Sequence, residues 1–260
     1  MTDFQQRNQA VIDGRVAADR AGAQRMAKKG ETTGTKPKKR AAGRASTVAA
    51  EAEQTRQNIL KVATEEFAAY GLSGARVDAI AERTLASKRM IYYYFGGKQG
   101  LYSAVLEKAY ADIRAEEAQS DFANMPPREA LQKLIEVTFE YDENHTRFIS
   151  LVSTENIHRA KTISKLPSIR RINESVIRTL EDILERGQAT GEFRQNLVAL
   201  DVHLLISAFC FFRISNRHTF EASFDCDLFD PKLRARHRRM IVEAILSYVE
   251  STDPAVAKKT

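Results

Sequence analysis

Residues 87–102 read SKRMIYYYFGGKQGLY, and the organisation of the whole chain follows from that run. Ile91 and Phe95 stand four apart, so on a helix they share one face and can fill a core. Arg89, Met90, Tyr92 and Tyr93 then fall on the opposite side. Ser87 is a residue type that caps a helix start, and Gly96-Gly97 ends the helix after two turns. Just upstream, Val77 to about Thr84 reads as another short helix with Val77, Ile80 and Ala81 inward; Ala81 is small where two helices approach closely. The connection between the two is too short for anything but a helix-turn-helix. Earlier still, Ile59, Ala63, Phe67 and Tyr70 are spaced four, four and three. That spacing marks one face of a helix from Glu51 that stops at Gly71.

The outward residues suit duplex DNA. Arg89 can pair bidentately with guanine and Met90 can touch a thymine methyl. Tyr92, Tyr93 and Tyr94 offer hydroxyls to phosphates, Lys88 and Ser87 flank them, and Lys98 opens the next helix where free amide groups favour anions. For one tyrosine of the three, plain core packing is the competing expectation. For Lys88 and Arg89 it is a solvated helix face.

A bare helix-turn-helix pattern is weak evidence, but the similarity here is longer. The run TRQNILKVATEEFAAYGLSGARVDAIAERTLASKRMIYYYFGGKQGL, from Thr55 to Leu101, resembles the reader domain of TetR-family transcriptional regulators nearly end to end. Ser87 to Tyr102 is similar to that family's recognition helix and the turn after it. Three positions depart from the family pattern. Ala75-Arg76 stands where a Ser or Thr usually caps the second helix, which frees Arg76 for a phosphate. Leu85 replaces the turn glycine, at a cost of around 1 kcal/mol if its φ is positive. Tyr94 replaces a histidine near the end of the recognition helix.

Working outward, a fourth helix is expected from Lys98 to about Ser120, and Pro126-Pro127 opens a fifth. In that fifth helix Leu131, Leu134, Ile135, Thr138 and Phe139 mark the apolar side. Further helical patterns cover about 145–160, 168–190, 197–215 and 231–250, with Gly187 and Gly191 punctuating the second of these. No stretch alternates as a strand does. The fold class is therefore all-α, about nine helices, divided into a tail at 1–46, a three-helix reader at 47–97 and a helical bundle at 98–255. Twelve glycines and six prolines among 260 residues agree with long uninterrupted helices.

The formal charge of +6 is concentrated in the tail, where residues 1–46 hold eleven Lys/Arg against four Asp/Glu; beyond them the chain is close to neutral. So few large apolar residues cannot offset the entropy of ordering, so this segment is expected to be mostly disordered. As a cationic arm it would strengthen attraction to phosphates, Lys36 to Arg44 above all; the competing expectation is a solvated extension. Arg234, Arg236, Arg238 and Arg239 read as a solvated face. Two cysteines, Cys210 and Cys226, suit a reducing cytoplasm and no disulfide framework. The most apolar stretch, Val202 to Phe212, is too short to span a membrane, and no secretory leader is evident.

The TetR resemblance implies a dimer built through the last two major helices, here 197–215 and 231–250, on a palindromic operator with half-sites about 34–36 Å apart. Leu200, Leu204, Leu205, Ala208, Phe209 and Phe212 make the first of these apolar on most sides, which demands burial. Met240, Ile241, Ala244, Ile245 and Tyr248 do the same for the second. A purely intrachain core is the alternative. The resemblance also implies a small-molecule effector among the middle helices. Candidate lining residues are Phe148, Glu155, Asn156, His203, Phe209, Phe212, Arg213, Asn216 and Arg217. The segments ISLVSTENIH and FCFFRISNRHTF resemble the branch that regulates pyrimidine and nicotinate breakdown, which points to an aromatic or heterocyclic acid, or an amide, held by Arg213.

Two other classes compete. There is no HExxH, GxSxG or phosphate-cradling loop, the five histidines lack metal spacing, and no nucleophile–base pair stands out, so neither an enzyme nor a metal or cofactor site is expected. An architectural DNA coater would use the tail, bind without sequence preference and show a steep salt dependence.

Overall fold

A computed structural model describes residues 39–251, with side chains from residue 49. Lys36, Lys38 and the rest of 1–38 lie outside it, as do 252–255. The chain divides into two units between Ala50 and Glu51. Of the first, residues 39–50 are helical, so the helix starts inside the stretch expected to lack structure.

Ten α-helices appear among the described residues: α1 (Lys39–Gly74), α2 (Val77–Thr84), α3 (Lys88–Phe95), α4 (Lys98–Glu117), α5 (Pro127–Asn144), α6 (Thr146–Ile157), α7 (Pro167–Thr190), α8 (Ala199–Ser215), α9 (Arg217–Phe224) and α10 (Pro231–Val249). Nine follow the expected pattern and α9 is additional. There is no strand among these residues; one antiparallel bridge joins Phe193 to Glu250. Gly187 does not interrupt α7 but lies beneath the Phe193 ring. No single described helix is long and apolar enough to cross a membrane.

In α1 the buried stripe runs through Ile59, Ala63 and Phe67. The next position of that stripe is Gly71, where φ of 62° interrupts the helix, so Tyr70 points outward at 64% exposure instead of inward. α2 lacks a side-chain cap, as its sequence implied. Glu66, buried on α1, compensates by accepting a hydrogen bond from the Arg76 backbone N–H at 3.0 Å, which satisfies one of the free amides of the α2 start. Leu85 closes α2 at φ 54° with its side chain 96% exposed. The left-handed conformation is thus retained without glycine, and the strain is borne by leucine.

Two apolar cores follow. One joins Ile59, Phe67, Ile80, Ile91 and Phe95 to Leu101, Tyr102, Val105 and Leu106 of α4, and extends to Leu151 and Ile169. The other packs α5, α7, α8 and α10 together through residues such as Leu134, Phe139, Leu180, Ile206 and Ile245. The reader core therefore runs past residue 97. The first half of α4 belongs to it, and the same helix lies along α7 in the bundle.

Candidate nucleic-acid interface and sensing half

α3 begins at Ser87, whose hydroxyl accepts from the Met90 backbone N–H at 3.3 Å. Ile91 and Phe95 are buried and fix the helix's rotation. On the outer side Arg89 is exposed and Met90 half-buried, while Tyr93 is 79% exposed. Tyr92 is exposed as well, and its ring lies against Gly97. Gly97 has φ of 114°, a conformation that a residue with a Cβ rarely adopts. Tyr94 is half-buried, its ring edge-on to Tyr93 and Phe95, so it is the tyrosine of the three that packs.

The basic groups are placed unequally. Arg76 is exposed at the start of α2. Lys88 forms an ion pair with Asp78 of α2. Lys98 donates to the Ser73 carbonyl at 3.1 Å, tying the start of α4 to the end of α1. One position carries the angle between α3 and α4. A Cβ on Gly100 would sit 1.8 Å from the Phe95 carbonyl oxygen, so only glycine lets the two helices meet this closely. Sequence reading did not single out Gly100, because a glycine near a helix start carries no local signal.

The residues expected to line an effector cavity do not converge. Phe148 packs edge-on to Tyr110 and Tyr141 beside a cleft of about 400 Å³ that also holds Asp112 and His145. Glu155 is buried elsewhere: its carboxylate accepts from the Thr162 and Ile163 backbone N–H groups at 3.0 and 3.1 Å. That turn contains Arg159 and Ala160 at positive φ, so Glu155 holds a strained connection. Asn156 is exposed. Asn216 donates to the Ser215 hydroxyl at 2.8 Å, and Arg217 faces Glu221 at 3.6 Å.

Arg213 is not free for an anion. Its guanidinium donates to Glu143 at 2.9 Å and to the Leu228 carbonyl, and lies over the Phe139 ring. Such a buried pair is a structural anchor, costly to break because one charge would be left alone. Phe209, Phe212 and Arg213 border an apolar groove of about 290 Å³ with Phe220, His237 and Met240. The arginines of α10 are likewise not a purely solvated face. Arg234 pairs with Glu143, and Arg238 with Glu140 at 3.2 Å, both across to α5.

His203 lies on the inner side of α8, and burial together with the Arg114 charge lowers its pKa to about 4. Arg114 belongs to a buried group that sequence reading missed. Its guanidinium is 3.1 Å from Glu117 one turn along α4. Burial pushes Glu117 up to about 7 against the pull of Arg114, and Asp142 of α5 likewise to about 7. Charged residues three apart on a helix usually signal a solvated edge, so nothing in the pattern distinguished this pair. No group of His, Cys, Asp and Glu among the described residues could hold a metal.

The single chain leaves apolar surface on its last major helices. On α8, Val202, Ile206, Cys210 and Ile214 are buried, whereas Leu200, Phe209 and Phe212 are exposed and Leu204 is 66% so. On α10, Met240 and Tyr248 are exposed, with Ala244 between them. The expected all-round burial of α8 is therefore not met within one chain.

Two family models match: the bacterial regulatory proteins of the tetR family over residues 59–105, and a tetracyclin repressor-like C-terminal domain over 127–245. The HTH-type transcriptional repressor NicS of Pseudomonas putida is 35% identical over 187 residues, covering 72% of this chain and 88% of NicS. The repressor SCO4008 of Streptomyces coelicolor is 28% identical, covering 60% of this chain and 76% of that protein. Among solved structures, the transcriptional regulator SCO4942 of Streptomyces coelicolor superposes with a TM-score of 0.56 at 26% identity, over 75% of this chain and 98% of that one. The fold and the reader define a DNA-binding transcriptional regulator. The chain belongs to the TetR family.

Proposed function

We propose that this regulator is a repressor that grips a palindromic operator as a homodimer and lets go when a small molecule binds its helical bundle. The observation that carries the reading is the orientation of α3: Ile91 and Phe95 are locked in the core while Arg89 and Tyr93 stand in solvent. Arg89 would read a guanine edge and Met90 a thymine methyl; Tyr92, Tyr93, Arg76 and Lys98 would hold phosphates, with Ser87, Lys88 and Tyr94 shaping the helix that presents them. Two such helices reach successive major grooves only if the chain pairs, and the exposed stripes on α8 and α10 suit that pairing. The sense of regulation follows the relatives NicS and SCO4008, both named repressors. A cytoplasmic setting follows from the DNA target.

Release requires an effector that binds the DNA-incompetent conformer better than the competent one. α4 is suited to carry that difference, since its first half sits in the reader core and its second half lies in the bundle. The test is footprinting on the chain's own promoter. A protected palindrome, with transcription rising when the chain is removed, is expected. Uniform coating with no preferred site would refute the proposal and favour an architectural role.

A further inference from the structure

We propose that Arg114 and Glu117, with Asp142 behind them, form the polar recognition point of the effector site. We further propose that this point takes a neutral ring with a hydrogen-bond acceptor beside a donor, as a lactam has, rather than a carboxylate. The inference rests on the reading of the chain as an effector-released repressor and replaces the acid-and-Arg213 pairing suggested by the sequence.

Three of the five buried polar side-chain atoms without a hydrogen-bond partner among the described residues lie together here: Arg114 Nε, one terminal Arg114 nitrogen and Glu117 Oε1. Each buried group left unpaired costs about 1–3 kcal/mol, and native proteins rarely concentrate such losses without a use. The Arg114 and Glu117 side chains are 11% and 7% exposed. Both border a groove of about 410 Å³ walled by Phe122 of the short turn after α4 and by Val176 and Thr179 of α7. An apolar wall with two convergent polar groups is the usual make-up of a small-molecule site.

The arrangement also selects the ligand's charge. Free donors on Arg114 stand beside a free acceptor on Glu117, so the complementary edge offers an acceptor beside a donor. A single guanidinium already faces two carboxyl groups, Glu117 and Asp142. Their pKa values, both pushed up to about 7, are the response of carboxyls that are poorly solvated and share one cation. A third carboxylate would meet that surplus and would have to bring protons with it. The remaining polar neighbours add no cation: Tyr110 and Tyr141 are held protonated by burial, and His203 is held neutral. Because Arg114 and Glu117 sit on the last turn of α4, a ligand bound there bears on the helix whose other end is in the reader core.

The test uses the full-length protein at pH 7.5, calorimetry, and three probes: 2-pyridone, N-methyl-2-pyridone and benzoate. 2-Pyridone should bind the wild type. Removing its donor by N-methylation, or the protein's acceptor by Glu117→Leu, should each weaken binding about tenfold or more; Glu117→Gln serves where the leucine variant does not fold. Benzoate binding more tightly than 2-pyridone, no binding of 2-pyridone, or binding indifferent to both changes would overturn the assignment. Anisotropy of a labelled promoter fragment separates this from the repressor reading. Probe binding that leaves the protein on DNA counts against effector release but not the site, whereas equal release of wild type and variant by 2-pyridone counts against the site alone.

Discussion

Replacing Glu117 by glutamine removes one ionisable group from the interior while keeping its size. An unfolded glutamate ionises near 4.5, whereas in the folded chain burial moves this group up to about 7. Between those values the folded protein keeps a proton that the unfolded chain has released. Stability therefore falls as pH rises through the window and levels off above about 7. At about 1.4 kcal/mol per unit, the span from pH 5 to 7 is worth about 3 kcal/mol, an order-of-magnitude figure because Asp142 shares the same cation. His203 acts in the opposite sense: with its pKa lowered to about 4, the unfolded chain is the one that holds the extra proton at mildly acid pH, and stability rises there with pH. The wild-type curve mixes these contributions, so the informative quantity is wild type minus Glu117→Gln, from urea melts at equal protein concentration at pH 5 and pH 8. The variant should gain about 2–3 kcal/mol relative to wild type between the two. A difference that stays constant would refute the idea that Glu117 is buried and underpaired.

Three further outcomes follow from the geometry. Leu85→Gly should raise stability by about 0.5–1 kcal/mol in a urea melt, since relief of a left-handed leucine outweighs the added backbone entropy of glycine. Gly100→Ala should cost on the order of 3 kcal/mol and abolish promoter binding, because its Cβ has no room beside the Phe95 carbonyl; a variant that melts and binds as wild type would show that α3 and α4 are not held this closely. Leu204→Glu should turn the dimer into a monomer in sedimentation, and promoter binding should fall with it; an unchanged dimer would place the interface elsewhere.

The reader was legible in the sequence because its requirements are local. Short helices need caps, stops and a four-residue apolar spacing, and Ser87, Gly96-Gly97, Ile91 and Phe95 supply them within nine residues of one another. Misreadings arose where a long-range partner decides. Tyr70 continued the apolar pattern of α1, but Gly71 ends the stripe. Arg213 looked like an anion-binding cation on an apolar helix, yet Glu143, distant in sequence, occupies it. Arg234 and Arg238 looked like a solvated run until α5 supplied their carboxylates. Arg114 and Glu117 carry no sequence signal, since their burial depends on how α4 packs against α7 and the turn at Phe122. Glu66 as the surrogate cap of α2 is of the same kind: the missing Ser or Thr was visible, and its replacement was not.

The most direct measurement compares a labelled promoter fragment with a scrambled one of the same length, at physiological salt, for wild type and Arg89→Ala. The wild type should prefer its promoter by about 10³ or more, and Arg89→Ala should lose most of that preference while remaining folded and dimeric. Equal affinity of the wild type for both fragments, or full discrimination retained without Arg89, would contradict the placement of α3 in the major groove.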